Sequence, residues 1–304
     1  MTTDIEATAR TIHEVLRSAP SSSPSHRALH AKGTVALGTF DPSGDLADLT
    51  TAPHLVSVSS PATIRFSHPG GDPRVSDAVP SGRGMAVKVR GPAGVHDLVG
   101  VSSPAFLVRD GASFLELLAA RAPDPATGAP DPDRMMAFVG AHPESLPAVQ
   151  AAMGARVPAS YTSLTYNGLH TFFLVDRVGD RHPFRWSWVP VGGERFLEPP
   201  VPDGFDLAAE LADRLDGTPA DAAFDLVVAL GEPGDPTDDP TAVWPERPLV
   251  AAGRLRVQAV SRERDPIIFD PTNVTEGLSL PEDDEILALR RAAYGLSYSA
   301  RTSD

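Results

Sequence analysis

The chain has 304 residues, a formal net charge of −14 at pH 7 and no cysteine. The acidic balance disfavours binding to nucleic acid or to an anionic membrane surface, and the lack of cysteine excludes disulfides, thiolate zinc sites, iron–sulfur clusters and cysteine-ligated haem. Because neither a secretory signal nor an apolar run long enough to cross a bilayer is visible, we expect a cytoplasmic protein with no membrane partner.

The N-terminal part of the chain contains one predicted helix, followed by short predicted strands. Apolar residues recur with a helical period over residues 4–17, and the Ser/Pro-rich residues 18–25 predict a flexible connection. From residue 32 onward, short β-rich runs alternate with Pro and Gly, which is typical of antiparallel barrels and sandwiches. The predicted strands of this part are residues 34–40, 54–58, 63–67 and 85–89.

The rest of the chain mixes strands and helices. Further strands are predicted at residues 170–175, 184–189, 224–230 and 249–259. Helices are predicted at residues 113–121, 143–153, 207–215 and 284–294, with surface loops at 122–133 and 232–241. Because no internal repeat or linker divides the chain, residues 1–304 are predicted to form a single domain with a β-rich α+β fold.

Four residues near the C-terminus have spacings that suit a haem with a tyrosinate ligand: Asp284, Arg290, Tyr294 and Arg301. Arg290 and Tyr294 are four residues apart, so on a helix the guanidinium lies close to the phenol oxygen. A permanent cation favours the anionic form of a phenol, and this form binds ferric iron. Tyrosine is a known axial ligand of haem, although this short pattern occurs by chance in many helices.

A second set of motifs makes the sequence resemble the monofunctional haem catalases. RALHAKG at residues 27–33 and RFS at residues 65–67 have the form of that family's distal segments. Shorter blocks follow in the family's order as far as residue 301: GMAVK, DLVG, PAF, PESL, GLHTF, VWP and FDPTN. The resemblance implies a catalase-related peroxidase with an eight-stranded antiparallel β-barrel and surrounding helices, in a minimal form without a C-terminal domain.

For the distal side of the haem, the resemblance implies that His30 is the acid–base group and that Ser67 hydrogen-bonds it. A neutral imidazole can remove a proton from one peroxide oxygen and deliver it to the departing oxygen. Directly after the DLVG block, where catalases have an asparagine, this chain has Val101, which has no donor or acceptor. We therefore expect weak catalase turnover and a preference for oxidising organic donors. Phe114 matches the family's aromatic residue near the haem.

For the proximal side, the resemblance implies that Tyr294 is the axial ligand to the iron. Tyr298, one helical turn further along, is the rival candidate. Tyr294 has Arg290 four residues before it and Arg301 seven residues after it, and both offsets match the family.

Other residues are expected to support the haem. His170 and Asp284 match the imidazole and carboxylate that extend the network behind Arg290 and tune the charge on the phenolate. Bidentate pairing of guanidinium with carboxylate suits the haem propionates. The arginines that match the family's propionate partners are Arg27, Arg65 and Arg301.

We therefore predict a haem b enzyme that reduces hydrogen peroxide or organic hydroperoxides with a small organic reductant, and a homo-oligomer by analogy with the family. One alternative keeps the haem but makes the protein a hydroperoxide isomerase, dehydratase or specialised biosynthetic oxidase, and the apolar Val101 favours it. Another is a non-catalytic haem-binding pseudo-catalase, which the retention of His30 and Tyr294 disfavours. A zinc site at His26 and His30 is disfavoured because the neighbouring Ser/Pro run opposes a helix there.

Overall fold

The computed structural model describes residues 4–19, 22–23, 25–124, 127–261 and 267–302. Its helices are α1 (Ile5–Arg17), α2 (Pro53–Val56), α3 (Gly111–Arg121), α4 (Pro132–Ala141), α5 (Leu146–Met153), α6 (Leu207–Gly217) and α7 (Glu285–Thr302). The helices α1, α3, α4 and α6 each follow an aspartate whose carboxylate accepts a hydrogen bond from a backbone N–H of the first turn. Among the described residues, no helix combines the length and hydrophobicity that crossing a bilayer would need.

The strands form one antiparallel sheet that closes on itself. They are β1 (Gly33–Pro42), β2 (Ser60–Ser67), β3 (Gly84–Gly91), β4 (Gly94–Val101), β5 (Tyr166–Asn167), β6 (Phe172–Val175), β7 (Arg181–Pro190), β8 (Ala223–Leu230), β9 (Leu249–Val260) and β10 (Leu278–Ser279). The ring runs β1-β2-β3-β4-β5-β7-β8-β9, and β9 pairs back with β1. The short β6 continues along the edge of β7 that β5 uses, and β10 extends outward from β6. The predicted eight-stranded antiparallel barrel is therefore confirmed.

Two hydrophobic clusters hold this architecture together. The larger one belongs to the barrel and includes Phe66, Tyr166 and Phe224, whose ring centroids lie 6.0–6.2 Å apart. The smaller one joins α1, α3, α4 and α7 through residues such as Ile12 and Leu289. The helices thus form a second layer against the barrel, as expected for elements that each bury one apolar face.

Most predicted elements are observed, but not all. The helix predicted over residues 4–17 is confirmed as α1, whereas residues 20, 21 and 24 of the predicted flexible connection lie outside the described residues. The strand predicted over residues 54–58 is wrong, because residues 53–56 form α2, with Pro53 in the first turn, where its missing N–H breaks no helical hydrogen bond. The predictions also omit β4 and α4, and α7 continues eight residues beyond its predicted end, to Thr302.

We expect a buried histidine pair to make the protein less stable at mildly acidic pH. His54 Nε2 and His96 Nδ1 lie 3.0 Å apart, and both residues are buried. Burial lowers the pKa of His54 from 6.5 to about 4 and holds the pKa of His96 well below its usual value. As the pH falls from 6.5 towards 4, the unfolded chain therefore binds protons that the folded chain does not, and the free energy of unfolding decreases.

Urea unfolding at a series of pH values measures this dependence. In His54→Leu, the slope of the unfolding free energy against pH is expected to decrease by about 1.4 kcal/mol per pH unit over this interval, because one titrating group has been removed. His26→Gln, which changes a histidine outside the pair, should keep the wild-type slope. An unchanged slope in His54→Leu would contradict the prediction.

Candidate active site

One cavity lies between the barrel and the helical layer. Its wall is built from the segment before β1, from β2, β3 and β4, and from α1, α3 and α7. Eight of the predicted site residues line it: Arg27, His30, Arg65, Ser67, Val101, Phe114, Arg290 and Tyr294. His170 and Asp284 connect to this wall from behind, whereas Arg301 follows the lining residue Ser297 by one helical turn and is not itself part of the lining.

Strand pairing brings the barrel residues of the site into one row. Gly33 pairs with Ser67, Ser67 with Gly84, and Gly84 with Val101. The row therefore spans four strands across one end of the barrel, and neighbouring strands lie about 4.8 Å apart. Residues that are far apart in sequence therefore contribute to the same part of the cavity wall.

His30 is held in a specific orientation just before β1. Its backbone is left-handed, with φ of 56°, an uncommon conformation for a residue with a side chain. Its Nδ1 lies 2.9 Å from Ser67 Oγ, and the Ser67 hydroxyl can donate to Gly84 O at 3.5 Å. When the hydroxyl donates to Gly84, His30 Nδ1–H donates to Ser67, and Nε2 keeps the lone pair of a base.

The surroundings of His30 keep its imidazole neutral. Burial, followed by the positive charges of Arg65, Arg290 and Arg27, lowers the pKa of His30 from 6.5 to about 3. At physiological pH the ring is therefore an unprotonated base, ready to accept a proton.

Two glycines allow the polar groups of the site to approach the backbone. A Cβ atom on Gly84 would lie 2.8 Å from the His30 ring and from Ser67 Oγ. On Gly33 it would lie 2.7 Å from the Arg65 guanidinium. Both contacts are too short for a side chain, so glycine at these positions makes room for His30 and Arg65.

On the opposite layer, α7 presents a phenol that is bonded to a guanidinium. Arg290 Nη2 donates to Tyr294 Oη at 2.9 Å, as the four-residue spacing on a helix predicts. Arg290 Nη1 donates to His170 Nε2 at 2.8 Å. His170 Nδ1 lies 2.6 Å from Asp284 Oδ2, so Nδ1 carries the proton that is donated to the carboxylate. The four side chains form one continuous hydrogen-bonded chain that ends at the phenol.

The end of this hydrogen-bonded network that lies farthest from the phenol is anchored to the backbone. Asp284 Oδ1 accepts the Leu287 N–H at 2.8 Å in the first turn of α7, so the same carboxylate caps the helix and holds His170. His170 occupies the interruption between β5 and β6 and is 1% exposed. Burial lowers the pKa of His170 in spite of the neighbouring Asp284 carboxylate, which keeps the imidazole neutral between the carboxylate and the guanidinium.

The three arginines predicted to bind the haem propionates differ in position, because two of them line the cavity and one does not. Arg27 Nη2 donates to Ile267 O at 2.5 Å and Arg65 Nη2 to Ala31 O at 3.4 Å, and both guanidiniums are at the cavity wall. Arg301 Nε donates to Ser297 O at 3.1 Å. Two of the three predicted propionate partners thus lie in the cavity wall, and the third lies on the helix that carries the phenol.

These residues fit the haem that the resemblance implies. Haem needs an anionic or imidazole ligand for the iron, cations for its carboxylates and an apolar slot for its ring. The cavity offers the Tyr294 phenol with its guanidinium partner, the Arg27 and Arg65 guanidiniums, and an apolar wall. Phe114 belongs to that wall and stacks on Phe106 with centroids 6.2 Å apart. The donor set and the apolar wall are therefore suited to an iron porphyrin.

The sequence predictions omit the contribution of α1 to the cavity. Ile12, His13 and Leu16 line it, although the helical period at residues 4–17 had indicated only an amphipathic helix. Periodicity identifies the apolar face of a helix but not the surface on which that face packs. The role of Gly84 is also omitted, although the GMAVK block that it begins offered a signal.

Comparisons with known proteins agree with this picture. The family model described as Catalase matches residues 12–201 of the chain. A catalase-related peroxidase of Mycolicibacterium paratuberculosis is 36% identical over 298 residues, which cover 95% of this chain and 93% of that protein. A catalase-related peroxidase of Synechococcus elongatus is 32% identical over 286 residues, covering 91% of this chain and 83% of that protein.

Longer proteins of the same kind are also similar. Catalase-1 of Arabidopsis thaliana is 30% identical over 299 residues, covering 90% of this chain and 60% of that protein. The crystal structure of a fungal catalase superposes with a TM-score of 0.80 at 20% identity, over 92% of this chain and 60% of that one. The chain thus spans about three fifths of the length of these catalases, and the structural likeness shows a shared fold.

Proposed function

Because this chain belongs to the catalase family, we propose that it is a haem-dependent peroxidase, which reduces hydrogen peroxide or an organic hydroperoxide with electrons from a small organic donor. The observation that carries the proposal is that a single cavity receives a neutral imidazole, His30, and a phenol bonded to a guanidinium, Tyr294. An acid–base group and a ligand for ferric iron are the two groups that peroxide chemistry on haem requires.

Haem b, the form of the cofactor that we propose, would supply a redox-active iron that exchanges electrons with the peroxide and with the donor. Tyr294 would hold its iron. Arg290 Nη2 donates to the phenol oxygen at 2.9 Å and so places a positive charge beside the atom that would bind the iron. His170 and Asp284 fix the position of that guanidinium, because its other nitrogen is bonded to the imidazole.

His30 is assigned the proton transfer. Its Nε2 accepts a proton from one oxygen of the peroxide and returns it to the other oxygen, which leaves as water or as an alcohol. Ser67 keeps the proton of the ring on Nδ1, so that Nε2 is the acceptor. Arg27, Arg65 and Arg301 are assigned to the haem propionates, and Phe114 to the wall beside the ring.

Val101 supports the view that catalase turnover is weak. Its apolar side chain lines the cavity at the end of β4, in the row that begins at Gly33. A second hydrogen peroxide molecule would find no hydrogen-bonding group on this side chain. An apolar wall, in contrast, favours the binding of organic donors.

Val101→Asn is expected to raise oxygen evolution from hydrogen peroxide about tenfold, because one hydrogen bond to the reacting peroxide is worth about 1 to 1.5 kcal/mol. Val101→Leu, which keeps the position apolar, should leave oxygen evolution at the wild-type level. Measurement with an oxygen electrode separates the two variants, and equal rates for both would argue that another feature limits the catalase reaction.

The apolar cavity wall also favours a second candidate function, the rearrangement or dehydration of an organic hydroperoxide by the same haem, or a specialised biosynthetic oxidation. Such a reaction would use Tyr294 and His30 in the same way but would need no external donor. A pseudo-catalase without activity is less well supported, because the bonded pairs His30–Ser67 and Arg290–Tyr294 are both intact.

The test is a set of assays on the purified, haem-reconstituted protein. A strong absorption band near the violet edge of the visible range, together with peroxide-dependent oxidation of a phenolic dye, is expected. Conversion of an organic hydroperoxide without any added donor would favour the isomerase instead. A colourless protein that does not retain haem would overturn both functions.

A further inference from the structure

The segment that follows β2 holds His30 in its left-handed conformation. The His30 N–H donates to Pro69 O at 3.3 Å, and the Ala31 N–H donates to Gly70 O at 3.0 Å. These two N–H groups belong to the peptide groups on either side of the His30 Cα, and the orientations of those peptide groups define its φ and ψ. The φ of 56° at His30 is therefore fixed by two consecutive carbonyls of one short turn.

His68 closes the turn that carries these two carbonyls. The Gly70 N–H donates to His68 Nδ1 at 3.3 Å. A bond from a side chain to the backbone two residues further on is the way in which Asn and Asp side chains close turns. The His68 N–H in turn donates to Lys32 O at 3.0 Å, which ties the start of the turn to the chain just after His30. The side chain and the backbone of His68 together set the direction of both carbonyls.

The buried ring of His68 is bonded at both nitrogens. Because Nδ1 accepts the Gly70 N–H, the proton of the neutral ring is on Nε2, which lies 2.8 Å from Ser81 Oγ. The Ser81 hydroxyl can accept this proton's hydrogen bond and donate its own to Gly82 O at 3.3 Å. Burial, followed by the charge of Arg83, lowers the pKa of His68 from 6.5 to about 4, so the ring is neutral at physiological pH.

Arg83 anchors Ser81 from the other side. Its side chain is fully buried, and Nη1 donates to Ser81 O at 2.8 Å and also to Ser81 Oγ. Its Nη2 donates to Asp77 O at 2.9 Å. His68, Ser81 and Arg83 are not among the described residues that line the cavity, so they can affect a reaction there only through other residues. The contacts of His68 lead to His30.

We propose that His68 positions His30 for proton transfer, because its Nδ1 closes the turn whose carbonyls hold the His30 backbone. The inference rests on the proposed function, in which His30 moves the proton of the peroxide. It adds to that function a residue outside the cavity that acts through His30 alone. A displacement of about 1 Å at a reacting group can cost about 100-fold in rate, so loss of the turn bond should be measurable.

Two amide substitutions separate the two nitrogens of His68. Asn carries its amide at the place of Nδ1 and can still close the turn, whereas Gln carries its amide at the place of Nε2 and can reach only Ser81. We expect His68→Gln to react with hydrogen peroxide about 10–100-fold more slowly than the wild type in stopped-flow mixing. His68→Asn should react at a rate close to that of the wild type.

Hydrogen exchange of the haem-reconstituted protein, read by mass spectrometry at single-amide resolution, follows the turn itself. In the wild type, the amides of Gly70 and Ala31 should exchange slowly, although neither residue belongs to a helix or a strand. Both should exchange about tenfold faster in His68→Gln and stay protected in His68→Asn. Carbon monoxide binds reduced haem without proton transfer, so its binding rate should be equal in all three proteins if the cavity is intact.

His182→Gln is the matched control. His182 Nε2 lies 3.1 Å from Asp176 Oδ2 in the turn between β6 and β7, so the substitution changes another bonded imidazole, one that lies away from the cavity wall. It should change neither the rate of reaction with peroxide nor the exchange of the Ala31 amide.

Several results would overturn the inference. One is a His68→Gln variant that reacts as the wild type does, and another is a slow variant in which the Ala31 amide stays protected. Equal losses in His68→Asn and His68→Gln would show that the turn bond is not what matters. If His68→Gln does not fold, fast exchange of Gly70 or Ala31 in the wild type decides against it. Slow exchange in a wild type that does not react with peroxide would instead support the positioning of His30 and refute the peroxidase function.

Discussion

Tyr294→Phe is expected to abolish peroxide-dependent activity and to change or eliminate the haem spectrum. The substitution removes the phenol oxygen to which Arg290 donates at 2.9 Å and leaves the rest of α7 unchanged. Removing a group that only supports a metal ligand typically lowers metal affinity or activity 10–100-fold, so removing the ligand itself should cost more than about 100-fold. Haem titration of the apoprotein and steady-state dye oxidation measure both effects.

Tyr298→Phe is the matched control for this experiment. Tyr298 lies one turn further along the same helix, and its ring is 5.6 Å from the Arg301 guanidinium. The substitution removes one hydroxyl from α7 but none from the cavity wall, so spectrum and activity should stay close to the wild type. If Tyr298→Phe instead loses the spectrum and Tyr294→Phe keeps it, the ligand is assigned to the wrong tyrosine.

His30→Gln is expected to lower the rate of reaction with peroxide by about 10²–10⁴-fold, the usual contribution of general acid–base catalysis. Haem binding should persist, because the proposed ligand and propionate partners are other residues. Stopped-flow mixing of the ferric protein with hydrogen peroxide measures the rate directly. His26→Gln, four residues earlier, removes an imidazole outside the cavity wall and should react as the wild type does.

The pH dependence of the same reaction provides a second check on His30. Because the pKa of His30 is lowered to about 3, its base form is present throughout the neutral and mildly acidic range. The wild-type rate should therefore be flat from about pH 8 down to about pH 5 and should fall only on approach to the lowered pKa. A rate that is lost near pH 6.5, the ordinary pKa of histidine, would contradict the neutral imidazole.

Some parts of the site follow from local sequence alone. Arg290 and Tyr294 meet because a helix brings residues four apart together, and this pair could be predicted from spacing. His30 and Ser67 are 37 residues apart, and His170 and Asp284 are 114 apart. Spacing cannot predict such pairs, because the tertiary structure brings together segments that are far apart in sequence. They were predictable only through the resemblance to the catalase family.

Other features depend on tertiary structure that the sequence pattern does not show. The apolar residues 54–58 have a strand-like composition, but Pro53 and the buried contact between His54 and His96 favour a short helix. The apolar period of α1 fits any amphipathic helix, so the packing of α1 against α7 and its place in the cavity wall could not be read from it. In both cases long-range contacts decide the outcome.

Asp284 accepts from the first turn of α7 and also from His170. Because of this double attachment, we expect retention of the proposed haem to depend on fraying of one helix. If the first turn opens, the imidazole loses its anchor and the guanidinium behind the phenol is released, even while the barrel stays folded. Proteins open locally at a lower free energy than they unfold globally. On gentle warming, bleaching of the haem should thus precede the loss of β-sheet signal, and the gap between the two midpoints would measure how independently the last helix melts.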